Sequence, residues 1–327
     1  MTSAGPLGAE DIGAALAPFG AGPARAISAP LSGSVNVGYR VETDAGPLFL
    51  RINVGKTETE VGAEVALIEH LIAAGVPTPR PWRARDGRGF AWHGGLLVSL
   101  FDWAAGRIIG RGEIRPEHAE QVGAALARLH LGGAGVTGPG AGRYTFEEIL
   151  GRMRGLAGCA DPAVAAALPV LWDEAAWLPV HRRRDLPAGL IHQDLFRDNV
   201  LFDRDRLAAL LDFEQACGGT LGYDLAVALL DWCFDGAFLA SRAQALCRGY
   251  DAVRPLGAAE RAGLYAEARA AALRFTVTRI TDVHLPGLSL PTPEGPRKDF
   301  RRYLARLEAL RAAGPAGFAA LTAGGPG

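Results

Sequence analysis

Two short apolar runs, residues 200–202 and 207–211, are divided by Asp203-Arg204-Asp205-Arg206. Two short runs around a polar turn predict a β-hairpin. In an antiparallel hairpin the start of one strand faces the end of the other. Asn199 and Asp212 should therefore stand near each other, with His192 and Asp194 on the loop just before. An amide oxygen and carboxylates converging on one spot suit Mg²⁺, which takes one or two carboxylates together with substrate phosphates.

The spacing His-x-Asp-x-x-x-x-Asn, followed by a strand-borne Asp, is one that phosphoryl transfer uses. One Asp takes the proton of the attacking hydroxyl, and the Asn and second Asp hold the metal. On that reading Asp194 is the base, Asn199 and Asp212 are metal ligands, and His192 braces the loop. An ordinary surface hairpin with an acidic turn is the bland alternative. Upstream, the small-residue turn Gly33-Ser34-Val35-Asn36-Val37-Gly38 between two expected strands can lay backbone N–H groups against phosphates, so Ser34 and Asn36 are candidate nucleotide contacts.

The words Gly189-Leu-Ile-His-Gln-Asp-Leu-Phe-Arg-Asp-Asn-Val, Leu211-Asp-Phe, Ala216-Cys217, Tyr223-Asp224-Leu-Ala and Trp232-Cys233-Phe234 resemble the catalytic region of the aminoglycoside phosphotransferase-type kinases. Within that superfamily they are most similar to the kinase-like homoserine kinases. A weaker similarity runs over residues 25–310. Gln193 and Arg197 stand where that family usually has Ala and Pro, and Phe213-Glu214-Gln215 where it has Phe-Tyr-Phe.

The resemblance implies an α+β, bilobal, protein-kinase-like fold. It pairs a strand-rich, nucleotide-binding lobe over residues 1–103 with a mostly helical catalytic and substrate-binding lobe over residues 104–327. It also implies ATP and Mg²⁺ as cofactors. Arg51 takes the place of the phosphate-gripping strand Lys of protein kinases, and Glu64 that of its helix partner. Ser99 and Phe101 fall at the segment whose backbone would meet the adenine edge. A homoserine acceptor implies a carboxylate partner, for which Arg274 and Arg279 are candidates because a guanidinium fork binds carboxylates bidentately. Asp282 or Glu214 would take the ammonium group. Arg279 and Asp282, three apart on an expected helix, should share a face. An aminoglycoside, choline or another hydroxy amino acid is the rival acceptor, and a nucleotide-binding pseudokinase scaffold the rival class.

Apolar periodicity predicts strands over 25–32, 37–43, 47–53, 89–92 and 96–101. It predicts helices over 9–19, 61–74, 117–130, 146–153, 162–178, 223–234, 236–250, 258–283 and 297–312. At 327 residues and 49% hydrophobic content, the chain can build one large or two medium cores. A net charge of −1 offers no field for nucleic acid or anionic membrane, so the expected partner is a small molecule. Only Lys56 and Lys298 are lysines, so Arg must fill most cationic roles. Four cysteines without metal-ligand spacing predict reduced thiols and a cytoplasmic setting. The first residues lack the charged and apolar regions of a signal peptide, and no uninterrupted apolar run reaches the roughly 18 residues of a membrane span.

Overall fold

The computed structural model of the protein describes residues 8–29, 31–32, 36–136, 140, 142–287 and 298–323. Ser34, a candidate nucleotide contact, lies outside them. The chain divides into two compact units. The first comprises residues 1–107 with 201–204 and 208–214, and the second comprises 108–200, 205–207 and 215–327.

The first unit contains α1 (Ala9–Leu16), β1 (Ala26–Ile27), β2 (Leu31–Ser32), β3 (Val37–Thr43), β4 (Gly46–Ile52), α2 (Glu58–Ala73), β5 (Ala91–His93) and β6 (Leu96–Asp102). Its sheet runs β1-β3-β4-β6-β5, with β2 also on β3, and every pairing is antiparallel. Alternation in β3 and β4 turns Tyr39, Val41, Leu48 and Leu50 inward, where they meet Ile12 and Leu16 of α1. Each such buried side chain contributes roughly 1.5–3 kcal/mol of transfer free energy. The expected strand over 25–32 is instead the two short pieces β1 and β2, both on β3.

Helix α2 starts three residues before the apolar periodicity does, because Thr57 and Glu60 form a reciprocal capping box. The Thr57 hydroxyl accepts from the Glu60 N–H at 3.2 Å, and Glu60 accepts from the Thr57 N–H at 2.8 Å. Val61, Val65, Ile68 and Leu71 form its buried face. Left-handed Gly75 follows the helix, as a C-terminal signal should.

The second unit is mostly helical: α3 (Pro116–Gly132), α4 (Phe146–Gly155) and α5 (Pro162–His181) precede β7 (Ala188–Ile191). The expected hairpin, most of whose residues belong to the first unit, is present as β8 (Val200–Asp203) and β9 (Arg206–Leu210), turning through left-handed Arg204. Then come β10 (Cys217–Thr220), α6 (Leu221–Trp232), β11 (Phe234–Asp235), β12 (Ala237–Phe238), α7 (Ala240–Val253), α8 (Ala258–Arg279) and α9 (Arg301–Thr322). β10 pairs antiparallel with β7, bracketing the catalytic-loop region. Periodicity does not reveal this ribbon, since Gly218 and Gly219 supply no side chains to alternate.

Every residue of α6 is buried, including Asp224 and Asp231, so both carboxylates need internal partners. Helices α3 and α7 cross closely enough that a Cβ on Gly123 would strike the Leu246 carbonyl and one on Gly249 the Glu120 carbonyl. Helix α5 is long and apolar enough, by length and composition alone, to cross a membrane. Its fully buried Glu174 is gripped by Arg269 of α8, with Arg269 Nε to Glu174 Oε1 at 2.6 Å. The expected α+β layout, a strand-rich part followed by a helical part, is the one observed.

Candidate active site

In the first unit, Arg51 on β4 and Glu64 on α2 form the expected ion pair. Both guanidinium nitrogens reach the carboxylate, at 2.8 and 2.9 Å. Arg51 also lies over the Phe101 ring at 5.0 Å. Burial pushes the Glu64 carboxyl up, but Arg51 and Lys56 outweigh it and hold the pKa below the ordinary value. Lys56 Nζ bridges Glu64 at 3.3 Å and Glu214 at 2.7 Å. Asn36 joins them: its amide nitrogen donates to Glu214 at 2.8 Å, and its amide oxygen accepts from the Val54 N–H at 3.2 Å. Lys56 was not among the expected site residues. Its signal was rarity, as one of two lysines in an arginine-rich chain.

Two expectations in this unit need correction. Glu214 is committed to Lys56 and Asn36, so it is not a partner waiting for a substrate ammonium. Ser99 and Phe101 do not present free backbone to an adenine edge. They stand opposite Arg51 and Phe49 in the β4–β6 ladder. On the other edge, the Leu100 carbonyl accepts from Trp82 N–H and the Asp102 N–H donates to the Arg80 carbonyl. The Ser99 hydroxyl accepts from Asn53 Nδ2 at 2.9 Å, deep in the sheet. Asp212 belongs to this unit and is left-handed at φ 63, a costly conformation for a residue with a Cβ and one that concentrates at functional positions.

In the second unit, Asp224 fixes the loop that follows β7. Its carboxylate accepts from the His192 N–H at 2.7 Å and the Gln193 N–H at 2.8 Å. His130 Nε2 lies 3.0 Å from the same carboxylate, and Nδ1 lies 2.7 Å from the Tyr250 hydroxyl. Burial opposes the Asp224 charge, but His130 and these donors outweigh it and hold the carboxyl below its usual range. The clamp lets Gln193 occupy left-handed space at φ 69.

Asp194 follows directly. Burial raises its pKa, Arg274 opposes the rise, and Asp198 adds to it. Asn199 donates its amide nitrogen to the Asp194 main-chain carbonyl at 2.8 Å. With that nitrogen committed, the amide oxygen is what Asn199 can offer a hard cation. The amide oxygen of Asn199 and the carboxylate of Asp212 are each a ligand type that a hard divalent cation takes. Among the described residues no group of three or more His, Cys, Asp or Glu could hold a metal ion without other ligands.

Arg274 is buried, with neutral partners: Gln215 Oε1 at 2.8 Å and the Gln193 carbonyl at 3.3 Å. Its guanidinium lies over the rings of Phe275 at 3.8 Å and Tyr144 at 4.3 Å. Arg279 lies over the Tyr303 ring at 4.3 Å and the Phe196 ring at 5.8 Å, with no hydrogen bond or ion pair to another described residue. Asp282 is not its partner. Arg152 of α4 pairs with Asp282, which also accepts from the Thr281 hydroxyl. After Arg279 the helix widens to a π-type turn over Ile280–His284, closed by Leu285 N–H to the Ile280 carbonyl. That wider turn breaks the three-apart neighbour rule on which the Arg279–Asp282 expectation rested.

With this geometry in hand, the chain can be set beside known proteins. The model of the phosphotransferase enzyme family matches residues 26–256. A homoserine kinase from Parvibaculum lavamentivorans is 35% identical over 321 residues, covering 94% of this chain and 96% of that protein. The fold is similar to an aminoglycoside phosphotransferase from Alicyclobacillus acidocaldarius, with a TM-score of 0.66, 18% identity, and coverage of 98% of this chain and 96% of that one. It is also similar to an amicoumacin kinase in complex with AMP-PNP and Ca²⁺, with a TM-score of 0.64, 17% identity, and coverage of 87% and 86%. The chain belongs to the phosphotransferase enzyme family, on the branch that holds the homoserine kinases.

Proposed function

We propose that the protein transfers the γ-phosphoryl group of ATP to the side-chain hydroxyl of L-homoserine. The observation that carries the acceptor is Arg279: a half-buried guanidinium, 4.3 Å from the centre of the Tyr303 ring, with no anionic partner among the described residues. A cation without a counter-charge suits the carboxylate of an amino acid. Arg274 is less suited, because Gln215, the Gln193 carbonyl and two rings already engage it. The near full-length similarity to a homoserine kinase supports the same acceptor. The ammonium partner expected of Asp282 or Glu214 is at neither, since Arg152 and Lys56 satisfy them.

In this reading Asp194 accepts the hydroxyl proton and orients the attack. Asn199 and Asp212 would each offer an oxygen to Mg²⁺, which would neutralise charge on the nucleotide phosphates when bound. Arg51, held by Glu64, grips the phosphates, with Lys56 and Asn36 at the same cluster. Asp224 and His130 keep the loop in its working shape. The free thiols of all four cysteines fit a reducing compartment, and we place the enzyme in the cytoplasm.

The test is ATP turnover against homoserine, 3-aminopropanol, choline and an aminoglycoside. Homoserine should be preferred by a large factor over 3-aminopropanol, which lacks only the carboxylate, because a site built for a charged group rejects an analogue without it. Arg279→Ala should raise the homoserine KM by about tenfold or more and leave the ATP KM unchanged. Equal use of homoserine and 3-aminopropanol by the wild-type protein would remove homoserine as the acceptor.

A further inference from the structure

Beside Arg279 a buried polar group has no partner. Tyr303 is 1% exposed, and its hydroxyl makes no hydrogen bond to another described residue. An unpartnered buried hydroxyl is costly, and in folded proteins it calls for a reason. The ring itself is well packed, with centroids 4.9 Å from Phe275 and 5.9 Å from Phe196. Phe would fill that space equally well, so packing does not account for the oxygen.

Two guanidiniums lie over the ring. Arg279 lies 4.3 Å and Arg306 4.8 Å from the Tyr303 ring centroid. Arg306 is buried, and among the described residues its hydrogen bonds go to main-chain carbonyls, those of Leu230 at 2.6 Å and Arg302. Nearby, Asp231 is already held by Arg111 at 3.2 Å and by the Arg197 N–H at 2.9 Å. Burial lowers the Arg306 pKa to about 10, as expected where charge is poorly compensated. The Tyr303 ring lies 5.9 Å from that of Phe196, two residues past the proposed base Asp194.

We propose that the Tyr303 hydroxyl donates a hydrogen bond to the substrate α-carboxylate alongside the Arg279 guanidinium, making Tyr303 a specificity-determining residue of the acceptor site. This deepens the homoserine reading and rests on it. A phenol and a guanidinium together offer a carboxylate two directed donors. The anion also supplies the charge that the arginine cluster lacks.

The experiment is Tyr303→Phe in the full chain, with KM, kcat and melting temperature measured. The homoserine KM should rise about tenfold, with the ATP KM and the KM for 3-aminopropanol unchanged. Melting temperature should hold or rise, since an unsatisfied hydroxyl has been removed. A lowered melting temperature with an unchanged homoserine KM would overturn the proposal and assign the hydroxyl to structure. So would an equal rise in KM for homoserine and 3-aminopropanol. Wild-type discrimination between the two acceptors judges the homoserine reading separately: if the wild-type protein uses both alike, no carboxylate is read and both statements fall. If it discriminates and the variant does not change, only Tyr303 falls.

Discussion

As the proposed base, Asp194 would meet two requirements that oppose each other. A base must ionise, and burial raises the pKa of this carboxyl. A carboxyl whose pKa is raised on folding holds its proton more tightly in the folded chain. Ionising it therefore costs stability as pH climbs through the raised value. Asp194→Asn should lower kcat by roughly 10²–10⁴-fold, the range for a lost general base, and leave nucleotide affinity intact. Its melting temperature at neutral pH should equal or exceed that of the wild type. The acid limb of the wild-type kcat profile should fall above the ordinary Asp value of 3.8, on the side to which burial moves it. Near-full activity of Asp194→Asn would remove it as the base. His192 and Asp194 were legible as a spaced pair of residue types. Tyr303 was not, because nothing in its neighbours along the chain marks a hydroxyl that folding leaves without a partner.

At the scale of elements, the Arg51–Glu64 pair ties β4 to α2. Both groups are nearly fully buried, so removing one leaves an uncompensated charge. Arg51→Ala and Glu64→Ala should each raise the ATP KM, and each should destabilise the fold by about 3–5 kcal/mol. The double variant should lose much less than the sum, measured as a coupling in both melting and kinetics. Additive losses would show that the two side chains act separately. Glu64, whose pKa is depressed, contributes stability above its unfolded pKa that is lost as pH falls through the folded one. The elements were readable where periodicity carried the signal, as in α2 or the β8–β9 hairpin. They were misread where it did not. Residues 234–238, assigned partly to helices, form the small β11–β12 pair, and the π-type turn after Arg279 altered which side chains share a face.

At the scale of the whole molecule, nucleotide and metal should stabilise the chain by mass action, because they bind the folded protein. Saturating ATP with Mg²⁺ at 100 times its dissociation constant should add about 2.7 kcal/mol. Chelating the metal should shrink the shift in melting temperature, and Asp212→Asn or Asn199→Ala should shrink it even with Mg²⁺ present. An unchanged shift in both variants would remove them as metal ligands.

Short-range order was legible along the chain: the His-x-Asp-x-x-x-x-Asn spacing, the hairpin after it, the amphipathic face of α2, and the α+β sequence of elements. Each depends on residues within a few turns or strands of one another, so periodicity and spacing suffice to show it. Tertiary structure alone decided which charges are satisfied. Arg152 claims Asp282, Lys56 claims Glu214, and the β4 ladder claims Ser99 and Phe101. Arg279 and the Tyr303 hydroxyl are left unpaired among the described residues. These partners lie far apart in the chain, and a buried charge or hydroxyl takes its energy from whatever folding brings beside it.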